Sequence, residues 1–164
     1  MPDFNPNFLQ RTNMKLASTK PMAKLFSYTF HHLDRPVVNW SQGRYSVTSL
    51  MTGLPLVTLT ATGAKSGLAR ETPLIGSPAG NEIVLIASNW GGQKHPSWYH
   101  NLKATPACTL TYEGKTEPFI AREVFGEEKE AYWQKAVSIY PGYDAYKTRT
   151  GGREIPVMVL TPEN

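Results

Sequence analysis

The densest grouping of chemically useful side chains is Thr62-Gly63-Ala64-Lys65-Ser66-Gly67, followed closely by Arg70. Glycines let a backbone approach a ligand, and exposed N–H groups in such a turn can form an anion-binding concavity. Lys65 adds a point charge, Ser66 a hydroxyl and Arg70 a two-pronged donor for phosphate or carboxylate. The spacing of a Walker phosphate loop is absent, so a basic hairpin turn without a ligand is the competing reading.

A second grouping runs from Ala87-Ser88-Asn89-Trp90-Gly91-Gly92 into His95-Pro96-Ser97-Trp98-Tyr99. It joins an apolar strand to a helix start, a common place to hold polar or negative groups. Trp98 with Leu102 also reads as the core face of that helix, and His95 and His100, with no acid or nucleophile beside them, read as structural. The third grouping is Tyr140, Tyr143 and Tyr146 around Pro141-Gly142. At helical spacing the three rings share a face and offer stacking surfaces and hydroxyls. No Ser-His-Asp chain, paired-carboxylate site or metal-ligand set accompanies them, and the single cysteine, Cys108, lies in a strand-like segment and reads as buried and inert. Binding places for an anionic aromatic ligand, with few catalytic groups, suit an enzyme whose organic cofactor carries the reactivity.

The elements that position these residues follow from periodicity. Residues 57–62 alternate apolar and hydroxyl side chains, as a half-buried strand does. Residues 70–77 and 83–87 read as two more strands, the latter apolar on both faces, and the three are expected as an antiparallel meander. A helix is expected after Pro96 through Lys103. A hairpin follows over 107–112 and 116–124, turning at Glu113-Gly114. A helix beginning at Glu127-Glu128 carries the apolar stripe Trp133, Ala136, Val137 and Tyr140. A helical turn is expected over 143–149 and a last strand over 155–160. The fold class is α+β, mainly β: a small, mostly antiparallel barrel with helices packed outside.

The chain has 164 residues, with 13 Gly and 13 Pro, which disfavours a helical bundle. Residues 1–45 form a basic N-terminal arm, with an amphipathic helix expected over 21–34, and residues 46–164 form the barrel domain. The whole net charge of +4 falls within residues 1–50, where Asp3 and Asp34 oppose six Lys and Arg. Such an arm packs on the domain or contacts an anionic membrane surface at its periphery. No basic stripe with interleaved aromatics marks a nucleic-acid binder. Neither a signal peptide nor a membrane-spanning run is visible, and one cysteine fits a reducing, cytoplasmic compartment.

Residues ~50 to 162 resemble the deazaflavin (F420)-dependent nitroreductases and quinone reductases of actinobacteria, a branch of the flavin/deazaflavin oxidoreductases. The stretches that carry the resemblance are Gly53-Leu54-Pro55, Leu59 to Gly67 with Arg70, Ala87-Ser88, Lys94 to Ala104 with Pro106, Tyr140-Pro141-Gly142-Tyr143 with Tyr146, and Arg153-Glu154-Ile155-Pro156-Val157. The resemblance implies a split β-barrel of the FMN-binding type. It also implies a groove for F420, a flavin-like ring bearing a phosphate and an oligoglutamate tail. Thr58, Leu59, Thr60, Ala87, Ser88, Asn89 and Trp98 are then expected along the ring. Ala64, Lys65, Ser66, Gly67, Leu68, Ala69 and Arg70 are expected at the anionic tail. Family members often carry a cation where this chain has Ala64 and Asn89.

The implied activity is hydride transfer from reduced F420 to a quinone, a nitro compound or an enone. Ser88, Tyr140, Tyr143 and Tyr146 are expected on the acceptor side, with Tyr143 nearest. FMN on the same barrel is the second cofactor reading, and a non-enzymatic carrier of lipid or other apolar ligand is the third. A homodimer is a further expectation.

Overall fold

The structure is a computed structural model and describes residues 53–163. The basic arm and the helix expected over 21–34 lie outside the described residues. Strands β1 (Leu56–Thr62), β2 (Ala69–Ile75), β3 (Ser77–Ala79) and β4 (Glu82–Ile86) come first. Helix α1 (Ser97–Ala104) precedes the hairpin β5 (Ala107–Tyr112) and β6 (Lys115–Val124). Helices α2 (Gly126–Ile139) and α3 (Gly142–Lys147) then lead to β7 (Val157–Pro162).

All seven strands form one antiparallel sheet in the order β2-β1-β5-β6-β7-β4-β3. The expected three-strand meander is therefore corrected. The segment over 70–77 breaks at Gly76, and β4 pairs with β7, far from β2 in the hydrogen-bonded order. The cause lies in composition: β4 is apolar on both faces and needs cover on both sides, whereas β2 carries Arg70 and Glu71 and tolerates an edge.

Only Gly76 separates β2 from β3, yet these strands stand at opposite ends of that order. Two residue steps span at most about 7 Å, so the two ends of the sheet must meet. The sheet is curled into a split barrel whose seam is crossed at Gly76. There the backbone N–H of Gly76 donates to the Pro55 carbonyl at 2.9 Å. A methyl at this position would lie 2.7 Å from Val57 Cγ1 and 3.1 Å from Ile83 Cγ2. Across the seam β2 touches β4, but no ladder joins them, which is the split.

Strand alternation makes two cores. Val57, Leu59, Leu85, Leu110, Met158 and Leu160 point into the barrel, where Trp98 and Leu102 of α1 join them. Val84, Ile86, Val157 and Val159, on the opposite faces of β4 and β7, pack against Trp133, Ala136 and Ile139 of α2. Each fully buried aliphatic side chain here contributes roughly 1.5–3 kcal/mol. The stripe expected on α2 is present at Trp133, Ala136 and Tyr140, with Val137 half-buried.

Strand direction decides where the loops fall. β1, β4 and β6 run one way and β2, β5 and β7 the other. The β1–β2 tip, the loop after β4, the α1–β5 link and the approach to β7 therefore share one rim. No helix among the described residues is long and apolar enough to cross a membrane.

Replacing Gly76 by Ala should cost about 1–3 kcal/mol of stability through overpacking at the seam, read as a lower urea midpoint. Cys108 gives a second check. Its thiol donates to the Phe119 carbonyl at 3.6 Å inside the barrel, and burial pushes its pKa up to about 11. The native protein should react with a thiol reagent at mildly alkaline pH at least ~100-fold more slowly than the unfolded chain.

Candidate active site

The cationic tip is tightly wound. The Gly63 N–H donates to Leu68 O, and the N–H groups of Ser66 and Gly67 both donate to Gly63 O. Leu68 N–H donates to Ser66 Oγ at 3.3 Å, and Ala64 N–H reaches Asn101 Oδ1 on α1 at 3.0 Å. A methyl on Gly63 would stand 2.6 Å from Ser66 Oγ and 3.1 Å from Leu68 O, so a side chain there would displace the Ser66 hydroxyl from the turn. The expected concavity of free backbone N–H groups is thus corrected: the amides of Gly63, Ala64, Ser66, Gly67 and Leu68 are spent on holding the turn. What remains for an anion is side-chain charge. Lys65 and Arg70 are exposed, and neither takes part in any of the ion pairs among the described residues. Arg70 Nη2 donates to Ser66 Oγ at 3.4 Å, leaving the Ser66 proton free to point outward. Gly67, Leu68 and Ala69 are exposed beside them.

Register sorts the ring-side residues. Leu59 and Ala61 face the barrel interior, and Arg70 pairs with Ala61 on that same side, at the rim. Thr58 and Thr60 pair with Pro73 and Glu71 on the opposite, outer side and are half-buried. A period of two therefore separates Thr58 and Thr60 from Leu59 and Arg70. Trp98 is only 4% exposed and fills the barrel beneath the rim.

The loop after β4 is distorted. Asn89 (φ 48°) and Trp90 (φ 56°) are consecutive left-handed residues with side chains, a conformation that costs of order 1–3 kcal/mol each. Asparagine tolerates that region well, and Asn89 Nδ2 closes the loop on Lys94 O at 2.9 Å. Ala87 is fully buried, with its N–H on Pro156 O and its carbonyl accepting from Arg153. Ser88 is 7% exposed, and its hydroxyl makes no hydrogen bond among the described residues.

Arg153, absent from the expected site residues, holds this loop. Its Nη2 donates to Ser88 O at 2.8 Å, its Nε to Gly92 O at 2.9 Å, and its Nη1 to Ala87 O at 3.3 Å. The same Nη1 lies 3.1 Å from His95 Nδ1. Burial and the neighbouring Arg153 charge hold the His95 pKa below its usual value, so the ring is neutral at pH 7 and Nδ1 accepts. Asn101 was missed as well. Both residues stand in the stretches that carry the family resemblance, but their partners are tens of residues away in sequence, so no local pattern reveals them.

The three tyrosines gather in the outer core. Tyr140, Tyr143 and Tyr146 are buried, with Tyr140 and Tyr143 edge-to-face at 5.2 Å and Tyr143 against Trp133 at 6.1 Å. The Tyr140 and Tyr146 hydroxyls lie 3.0 Å apart, whereas the Tyr143 hydroxyl bonds to no described residue. Burial raises all three phenol pKa values, most strongly for Tyr143 and Tyr146, so each stays a neutral donor. α3 packs against the loop after β4, and Tyr146 meets the half-exposed Trp90 ring edge-on at 6.4 Å. Folding thus brings the second and third sequence groupings together.

The chain is similar in sequence and fold to known proteins. The family model described as F420H(2)-dependent quinone reductase matches residues 35–162. The F420H(2)-dependent quinone reductase Rv1261c of Mycobacterium tuberculosis (strain ATCC 25618 / H37Rv) is 34% identical over 110 residues, spanning 65% of this chain and 73% of that protein. A solved F420-H2 dependent reductase (FDR-A) is 44% identical with a TM-score of 0.60, covering 65% of this chain and 93% of its own. A solved domain-swapped dimer is 38% identical with a TM-score of 0.62, covering 77% and 93%. The match runs through the seam, the tip, the clasped loop and the tyrosine layer together, and the chain belongs to the F420H(2)-dependent quinone reductase family.

Proposed function

We propose that this protein reduces a quinone with hydride from reduced F420, and that the rim between the β1–β2 tip and the loop after β4 is where the two reactants meet. The observation that carries the reading is the pair of exposed cations without acidic partners, Lys65 and Arg70, on a tip where five backbone amides already hold the turn. Exposed positive side chains without acidic partners fit the phosphate and oligoglutamate tail of F420. The comparisons favour F420, and none of them supports FMN. An apolar carrier would have no use for these two charges.

Bound reduced F420 would supply the hydride. Lys65, Ser66 and Arg70 hold the tail, with Ala64, Gly67, Leu68 and Ala69 shaping the tip around it. Thr58, Thr60 and Asn89 offer polar edges to the ring, while Leu59, Ala87 and Trp98 act from below as packing. Ser88 turns its free hydroxyl toward the acceptor. Tyr140 and Tyr146 tie their hydroxyls together and make the acceptor-side wall. Tyr143 keeps its proton because burial disfavours the phenolate, so it stabilises developing oxygen charge by donating a hydrogen bond. Activated nitro compounds and enones place a similar electron-poor oxygen system there and extend the acceptor class. A homodimer is supported by the relative solved as a domain-swapped dimer. Contact of residues 1–40 with anionic lipid is a separate proposal, decided by liposome flotation with and without that segment: equal recovery removes it.

Anaerobic mixing of F420H2 with menadione and the protein should restore the absorbance of oxidised F420. No turnover, together with no F420 binding by fluorescence, would sink the reading. The double variant Lys65→Glu, Arg70→Glu should weaken F420 binding at least ~10-fold, and added salt should weaken the wild type in the same direction. Tyr143→Phe and Ser88→Ala should each lower turnover by about 10- to 100-fold with F420 affinity nearly unchanged, as expected for lost hydrogen bonds to a charged group.

A further inference from the structure

The loop that carries Ser88 closes on itself locally, but its place against the barrel is fixed from outside. Its own hydrogen bonds include Ser88 N–H to Ile86 O at 2.8 Å, Gly91 N–H to Ser88 O at 3.0 Å, Gly92 N–H to Asn89 O at 2.8 Å and the Asn89 side chain to Lys94 O. The Gly91 bond closes the turn over Asn89 and Trp90, the two successive left-handed residues bearing side chains, but it ties the turn only to itself. The loop before β7 supplies the constraint, because Arg153 places one planar guanidinium against the carbonyls of Ala87, Ser88 and Gly92 and the ring of His95. These acceptors belong to both ends of the distorted turn. A rigid fork can meet them at once; a lysine ammonium on a flexible stem cannot.

We infer that Arg153 is a positioning residue: by clamping the carbonyls of Ala87, Ser88 and Gly92 it holds the turn so that the unengaged Ser88 hydroxyl faces the acceptor. This rests on the reading of the Ser88 loop as the acceptor side of the site. It differs from a general structural role in one respect, that its effect is local to the loop and passes through Ser88. The neighbouring strands β4 and β7 are held by their own ladder and do not need the guanidinium.

Hydrogen–deuterium exchange on the protein without cofactor tests the clamp directly. In Arg153→Lys and Arg153→Ala, peptides covering residues 88–95 should exchange at least ~10-fold faster, while β4 and β7 exchange as in the wild type. In the alanine variant, added guanidinium ion should restore part of the protection. Unchanged exchange at 88–95, or acceleration spread equally over the barrel strands, overturns the inference; the lysine variant serves if the alanine variant fails to fold. With F420H2 and menadione, Arg153→Lys should lower kcat, and combining it with Ser88→Ala should add little to the loss from Ser88→Ala alone. Full multiplication of the two losses would also overturn it. If the wild type itself neither binds F420 nor turns over, the functional reading fails. The exchange data still decide whether Arg153 clamps the loop.

Discussion

One residue, Gly76, has to carry the chain from one end of the hydrogen-bonded order to the other, and the barrel exists because it does. β2 and β3 are separated by Gly76 alone, yet six pairings lie between them in the order β2-β1-β5-β6-β7-β4-β3. A flat sheet cannot satisfy that connection; a curled one can. At the crossing, Val57 and Ile83 approach the glycine so closely that even a methyl would force them to shift. Curling then turns one face of every strand into an interior, which Trp98 and Leu102 complete, and leaves the outer faces of β4 and β7 to be covered by α2.

The same closure brings the chemistry together. Strands of alternating direction place the cationic tip, the Ser88 loop and the approach to β7 on one rim. Two of these segments are tied from outside themselves: the tip by Asn101 and the Ser88 loop by Arg153. A site built in this way is preorganised, since its donors need not be gathered when a ligand arrives. It also divides its labour. Backbone amides at the tip fix shape, and the side chains of Lys65 and Arg70 stay exposed, outside the ion pairs among the described residues.

The tyrosine layer shows how burial sets chemical character. Tyr140, Tyr143 and Tyr146 are packed among Trp133, Val84 and Ile86, and burial raises all three phenol pKa values, most strongly for Tyr143 and Tyr146. A phenol in that state donates hydrogen bonds and supplies no phenolate. Cys108 is governed by the same physics in the barrel interior, where burial keeps its thiol protonated.

Much of this was legible in the chain itself. Alternation over Val57–Leu59–Ala61, the apolar run at Ile83 to Ala87 and the breaks at Pro96, Glu113-Gly114 and Pro141-Gly142 mark elements that the structure contains. Those signals are local, because a strand or a helix records its own period. The family motifs likewise stand in order along the sequence. Pairing was decided only by the tertiary structure, since which strand β4 joins depends on burying both its faces at once. The clasp of Arg153 on Ser88, 65 residues away, and the anchoring of Ala64 by Asn101, 37 residues away, leave no trace in spacing. Local order along the chain is written in side-chain periodicity, whereas contacts across the chain come into being only when the sheet has closed.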